Sequence, residues 1–129
     1  MQLDFTKAEG LIPAIIQDAS NGDVLMLGFM NDVAFAETQR TREVVFFSRS
    51  RNRLWKKGES SGHVLKVRDI RLDCDADSLL IRVDAVGPGV CHEGYRSCFF
   101  RSLSTDGAAQ VIDERTFDPD KIYGQESKR

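Results

Sequence analysis

The sequence predicts an α+β fold, a largely antiparallel β-sheet with one main helix. Three observations carry this. Strand-like runs outnumber helical ones and do not alternate with them. An Asn21-Gly22 pair separates two apolar runs, the signal of a tight hairpin. A single stretch, opening after Asn31, carries helix-start chemistry.

In chain order, Leu11 to Asp18 is a short apolar run and reads as a strand. Ala19 to Asp23 turns the chain, and Val24 to Met30 returns as the second strand of the hairpin. Asn31 caps a helix from Asp32 to Thr41, with Asp32 in the first turn, where a negative charge is favoured. Val44 to Ser48 is β-branched and aromatic, hence a strand. A long β segment is expected from His63 to Cys74, and another from Leu79 to Val86. Gly87-Pro88-Gly89 breaks the chain, Ser97 to Leu103 reads as a further strand, and the tail from Thr105 is polar and loop-rich.

A chain of 129 residues, 41% apolar and 29% charged, fits one domain with a single core over residues 1–129. No apolar run approaches the ~20 residues that span a bilayer. The N-terminus lacks the basic-then-apolar layout of a signal peptide, so the cytoplasm is the expected compartment. A net charge of −2 gives no general attraction to nucleic acid or anionic membrane, and neither is an expected partner. Three cysteines are an odd count for a disulfide framework, which leaves metal binding or core packing.

All three cysteines fall in one ligand-rich region, Asp73-Cys74-Asp75-Ala76-Asp77 and Cys91-His92-Glu93-Gly94-Tyr95-Arg96-Ser97-Cys98. Thiolates suit soft or borderline metals and carboxylates suit hard ones. Three thiolates leave a tetrahedral zinc one open position, the catalytic pattern, although His92 or His63 is a possible fourth ligand. The six residues between Cys91 and Cys98 are too many for a zinc knuckle, and there is no CxxC. On a strand, alternation sends Asp73 and Asp75 to one face and Cys74 to the other, so one segment serves two metals. Asp73, Asp75 and Asp77 also match the opening ligands of an EF-hand. That motif then fails, with Ser78 for its Gly, Asp84 for its Glu, and β-like flanks. A solvated acidic turn is the plain alternative.

Between Arg49 and Lys57 lie five basic residues and no acidic one. Arg49, Arg51, Arg53 and Lys57, with Trp55 for stacking and Ser60, Ser61 and His63 beyond, suit a phosphorylated nucleotide. The same ingredients also suit single-stranded nucleic acid, or merely a solvated strand. His92, next to Cys91, is placed to move protons near neutral pH, with Glu93 a weaker candidate.

Phe47-Ser-Arg-Ser-Arg, Leu54-Trp-Lys-Lys-Gly-Glu-Ser-Ser-Gly-His63, Leu72-Asp-Cys-Asp-Ala-Asp77 and Gly89-Val-Cys-His-Glu-Gly-Tyr-Arg-Ser-Cys-Phe99 together resemble phosphoribosyl-AMP cyclohydrolase. The likeness runs from Leu11-Ile-Pro-Ala to Phe117-Asp-Pro-Asp. It implies an intertwined homodimer with one Zn²⁺ per subunit at the dimer interface, Cys74 coming from one chain and Cys91 and Cys98 from the other. It implies Mg²⁺ on Asp73, Asp75 and Asp77. The implied reaction is the third step of histidine biosynthesis. Zinc-bound hydroxide opens the adenine ring of N1-(5-phosphoribosyl)-AMP between N1 and C6, giving the phosphoribosylformimino-aminoimidazole carboxamide ribotide. The sequence stops soon after Tyr123-Gly124, so the pyrophosphohydrolase domain fused in some relatives is not expected. A nucleic-acid module with structural zinc is a weaker reading, given the acidic balance. A thiol redox protein leaves the three aspartates unexplained.

Overall fold

In a computed structural model of the chain, residues 2–123 are described. The first hairpin forms as the Asn-Gly pair requires. Strand β1 (Ile12–Asp18) runs antiparallel to β2 (Val24–Met30), and Gly22 takes the positive φ of the turn. Period-two burial is plain in β1, where Ile12, Ala14 and Ile16 are fully buried while Ile15 reaches solvent. Helix α1 (Asp32–Thr41) opens on Asn31, whose side-chain oxygen accepts from the Ala34 N–H at 2.8 Å. It ends at Arg42, which takes the left-handed conformation. Buried Thr38 accepts from the Val45 N–H at 3.0 Å, so the helix is tied to the strand that follows it.

That strand, β3 (Val45–Ser48), pairs with β4 (Arg53–Lys56) in a separate two-stranded sheet. The basic stretch therefore holds a strand that its charges had masked. A Cβ on Gly28 would fall 2.5 Å from the Phe46 ring, so only glycine lets β2 lie this close to β3. Next come β5 (Leu65–Leu72) and β6 (Leu79–Ala85), antiparallel to each other. The main sheet has the order β2-β1-β6-β5.

Two expectations need correcting here. β1 and β6 pair in parallel, so the main sheet is mixed and only its flanking pairs are antiparallel. A parallel neighbour needs a long crossover, and β2, α1, β3, β4 and β5 all lie within it. The expected strand from His63 to Cys74 is shorter at both ends. After Leu72 the chain turns, because Asp73 Oδ1 accepts the N–H groups of Asp77 and Ser78 at 3.0 and 3.2 Å.

The strand expected over Ser97 to Leu103 is reduced to β7 (Arg101–Leu103), paired with β8 (Ala109–Val111). Ser97 and Cys98 instead bond irregularly to β2, through Ser97 Oγ to the Val24 carbonyl and the Cys98 N–H to the Leu25 carbonyl. The β7–β8 ribbon is exposed throughout, with Leu103 72% accessible. The tail, expected to be loop-rich, also holds the short helix α2 (Pro119–Tyr123). The expectation concerning Gly124 falls outside the described residues.

Candidate metal and nucleotide site

The aspartate turn joins β5 to β6 and is shaped first by bonds among its own residues. Its Asp73 bonds fold the segment so that the carboxylates of Asp73, Asp75 and Asp77 lie within 4.8 Å of one another. Ala76 takes φ 60 at the crest, an unfavourable value for a residue with a Cβ. The segment is a turn, so the strand alternation expected to part Cys74 from its acidic neighbours does not operate. Lys7, which sequence reading passed over, completes the cluster. Its Nζ lies 3.0 Å from Asp75 Oδ2 and 3.2 Å from Asp77 Oδ2. The Lys7 ammonium holds the Asp75 carboxyl below the usual range, while Asp73 and then Asp75 push that of Asp77 up. Crowded carboxylates that have drawn in a cation are a donor set fit for a hard divalent ion.

The second ligand group rests on a loop gripped from several directions. The Val90 and Cys91 N–H groups donate to the Arg96 and Tyr95 carbonyls at 3.0 Å each, closing a narrow loop that returns Cys98 toward Cys91. Arg96 clamps this loop to the first hairpin, 3.2 Å from Asp18 and 2.9 Å from Asp23. Tyr95 stacks on Phe100 with ring centroids 3.7 Å apart. A strap from the C-terminal segment crosses the outside, where the Thr116 N–H donates to the Gly94 carbonyl at 2.8 Å. Gly94 has φ +98, and a Cβ there would lie 2.7 Å from the Phe117 carbonyl oxygen.

Within this loop the neighbouring Cys98 thiol lowers the Cys91 thiol to about 6, against the opposing cost of burial. The Glu93 N–H and the His92 charge act in the same direction. Cys98, itself reaching solvent, is pushed up chiefly by the Cys91 sulfur. The two thiols shift one another in opposite directions, and together they offer two soft donors from one loop. Cys74 is exposed on the aspartate turn. Among the described residues it joins no three-ligand group, and the only such group is that of the aspartates. One chain therefore brings together two thiol ligands, not three. His92 is exposed beside them and Glu93 is half-buried, its carboxylate 3.6 Å from Arg101.

The basic stretch surrounds a cavity of about 210 Å³ lined by Ser48, Ser50, Arg51, Arg53, Trp55 and Glu59. Trp55 is shared with an adjoining groove that Arg49 enters, its guanidinium 4.1 Å above the Phe29 ring. Lys57 is buried, with its ammonium 5.5 Å from the centre of the Trp55 ring. Ser60, Ser61 and His63 lie on the next turn and do not line the cavity. Ser61 Oγ accepts the His63 N–H, and the His63 ring is lodged 3.2 Å from the Gly89 carbonyl and edge-on to Phe117. Glu59, unforeseen from sequence, sits 3.2 Å from Arg53 and offsets part of its charge.

Known proteins bear on this arrangement. The sequence model of the family described as phosphoribosyl-AMP cyclohydrolase matches residues 26–100, which hold both ligand groups and the basic stretch. The protein of that name from Solibacter usitatus (strain Ellin6076) is 55% identical, over 98% of this chain and 100% of its own length. That from Nitratidesulfovibrio vulgaris (strain DP4) is 52% identical over 93% of this chain and 94% of its own. That from Rhodopseudomonas palustris (strain TIE-1) is 51% identical over 92% and 82%.

Proposed function

The chain belongs to the phosphoribosyl-AMP cyclohydrolase family, hydrolases of histidine biosynthesis, and from that premise we propose how its residues divide the work. The protein acts in the cytoplasm as a homodimer. Cys91 and Cys98 of one subunit, with Cys74 of the other, hold zinc. Asp73, Asp75 and Asp77 hold magnesium. When bound, zinc supplies a water acidic enough to ionise near neutrality, and magnesium a hard positive charge for phosphate oxygens.

The substrate is N1-(5-phosphoribosyl)-AMP. Arg51 and Arg53, with the Ser48 and Ser50 hydroxyls, take up phosphate oxygens in the small cavity, and Arg49 extends the cationic wall. Trp55, with the Lys57 ammonium near its ring, offers an aromatic face to the purine. Ser60, Ser61 and His63 border the site from the following turn. His92 takes one proton of the water that adds to C6 and returns it to N1 as the C6–N1 bond breaks, while the other passes to the exocyclic 6-imino nitrogen, which becomes the carboxamide NH2. C6 becomes a carboxamide carbonyl and N1 a formimino N–H, so atoms and charge balance.

The observation that carries this reading is the Cys91–Cys98 pair. Two soft donors are poised in one chain, and the third is exposed on a different turn. A mixing experiment tests it. Cys74→Ser and Cys91→Ser are each expected to lose zinc and ring opening, followed by absorbance. Their mixed dimer retains one intact site of two, so random re-pairing should restore roughly a quarter of wild-type activity. No recovery, with mixed dimers present, would reject ligation across subunits. Full turnover by either variant without zinc would reject the metal chemistry itself.

A further inference from the structure

We propose that Lys7 is a tethered counter-ion that occupies the aspartate turn and must be displaced by the divalent ion, so that it sets the turn's affinity for that ion. This rests on reading Asp73, Asp75 and Asp77 as the hard-ion site.

Lys7 lies far from the turn in sequence and outside the residues that the family model matches, yet it is firmly delivered to it. Leu3 and Phe5 pack against the main core, and the Asp4 N–H donates to the Ala76 carbonyl at 2.7 Å. Asp4 Oδ1 accepts from the Thr6 N–H and hydroxyl, and the Gly10 N–H closes back on the Phe5 carbonyl at 2.9 Å. The segment is thus anchored on both sides of Lys7, and the ammonium reaches two of the three carboxylates at once.

An ammonium is a compact point charge with three donors and no acceptor. It partly neutralises three crowded carboxylates but cannot ligate them. A small divalent ion needs the same oxygens at ~2.0–2.1 Å, and two like charges cannot share them. The side chain is 47% exposed, so nothing steric stops it from swinging into solvent. The opposition is therefore electrostatic. Two exposed ion pairs set its scale at roughly threefold to tenfold in affinity.

Mn²⁺ serves as a spectroscopic probe for a hard oxygen-ligated ion, with free Mn²⁺ followed by electron paramagnetic resonance on zinc-loaded protein. Lys7→Gln should bind Mn²⁺ roughly threefold to tenfold more tightly than wild type, while Lys7→Arg, which keeps the charge, stays near wild type. Asp75→Asn should bind weakly. The thermal midpoint supplies a second readout. Lys7→Gln should lower it without Mn²⁺, and saturating Mn²⁺ should close the gap. Equal or weaker binding by Lys7→Gln, or an unfolding deficit that Mn²⁺ leaves unchanged, overturns the proposal alone. Failure of both wild type and Lys7→Gln to bind Mn²⁺ overturns the hard-ion reading and the proposal with it.

Discussion

The turn Asp73–Asp77 and the loop Cys91–Cys98 are short segments that carry the candidate metal ligands, and they are held differently. The turn is shaped first by its own Asp73, whose side chain accepts two backbone donors close by, and only the N-terminal segment adds to it, through the Asp4 N–H and Lys7. The loop owes its shape to the first hairpin, which Arg96, Ser97 and Cys98 grip, and to the strap at Thr116–Phe117. Hard-ion ligands reach a metal from a solvated surface at modest cost. A thiolate held against the cost of burial needs donors placed around it by neighbouring segments, which takes several elements.

Substitutions in the two segments should differ accordingly. The largest effect is expected at Gly94. Ala there meets both a positive φ and the Phe117 carbonyl, costing about 2–4 kcal/mol in urea unfolding and lowering zinc retention. Unchanged stability would mean that the loop is not gripped from outside. Arg96→Ala comes next, with a loss of about 1–2 kcal/mol and a weaker hold on zinc by chelator competition.

The Arg96 clamp also has a pH signature. Asp18 is held below the usual carboxylate range by the Ser20 hydroxyl first, with further help from the Ser20 N–H and Arg96. Its folded form gives up the proton more readily than its unfolded form. Its stabilising contribution is therefore complete above its ordinary value and fades as pH falls through the lowered folded one. Asp18→Asn should flatten that part of the acid limb of the stability curve, measured as unfolding midpoint against pH. An identical limb would show that the clamp is not linked to protons.

The smallest effect belongs to the aspartate turn. Ala76→Gly relieves an unfavourable φ but removes a buried methyl, so the two offset and stability should shift by less than about 1 kcal/mol without altering zinc content. A clear loss would show that the turn too depends on what packs over Ala76.

Legibility in the sequence divides along the same line. The Asn21-Gly22 hairpin and the Asn31-capped helix were readable because their determinants lie within a few residues. A strand was among the readings of the basic stretch, but as a solvated one, because the charges of Arg53 and Lys56 masked that Leu54 and Trp55 of β4 pack against the core. Lys7 could not be found from the sequence, since nothing local marks a lysine whose partners lie 68 and 70 residues away. The region Ser97–Phe100 looked like strand by residue type, but side-chain bonds to β2 drew it out of regular pairing.

By itself the sequence determined the family, the α+β class, the ligand types and the turns whose side chains satisfy their own backbone. Only tertiary structure decided that β1 and β6 run parallel, that Cys91 and Cys98 act on one another while Cys74 stands apart, and that Lys7 joins the aspartates. The physical reason is range. Caps, turns and ligand chemistry act within a few bonds of their residues. Strand partners, burial and ion pairs depend on which distant surfaces the collapsing core brings together.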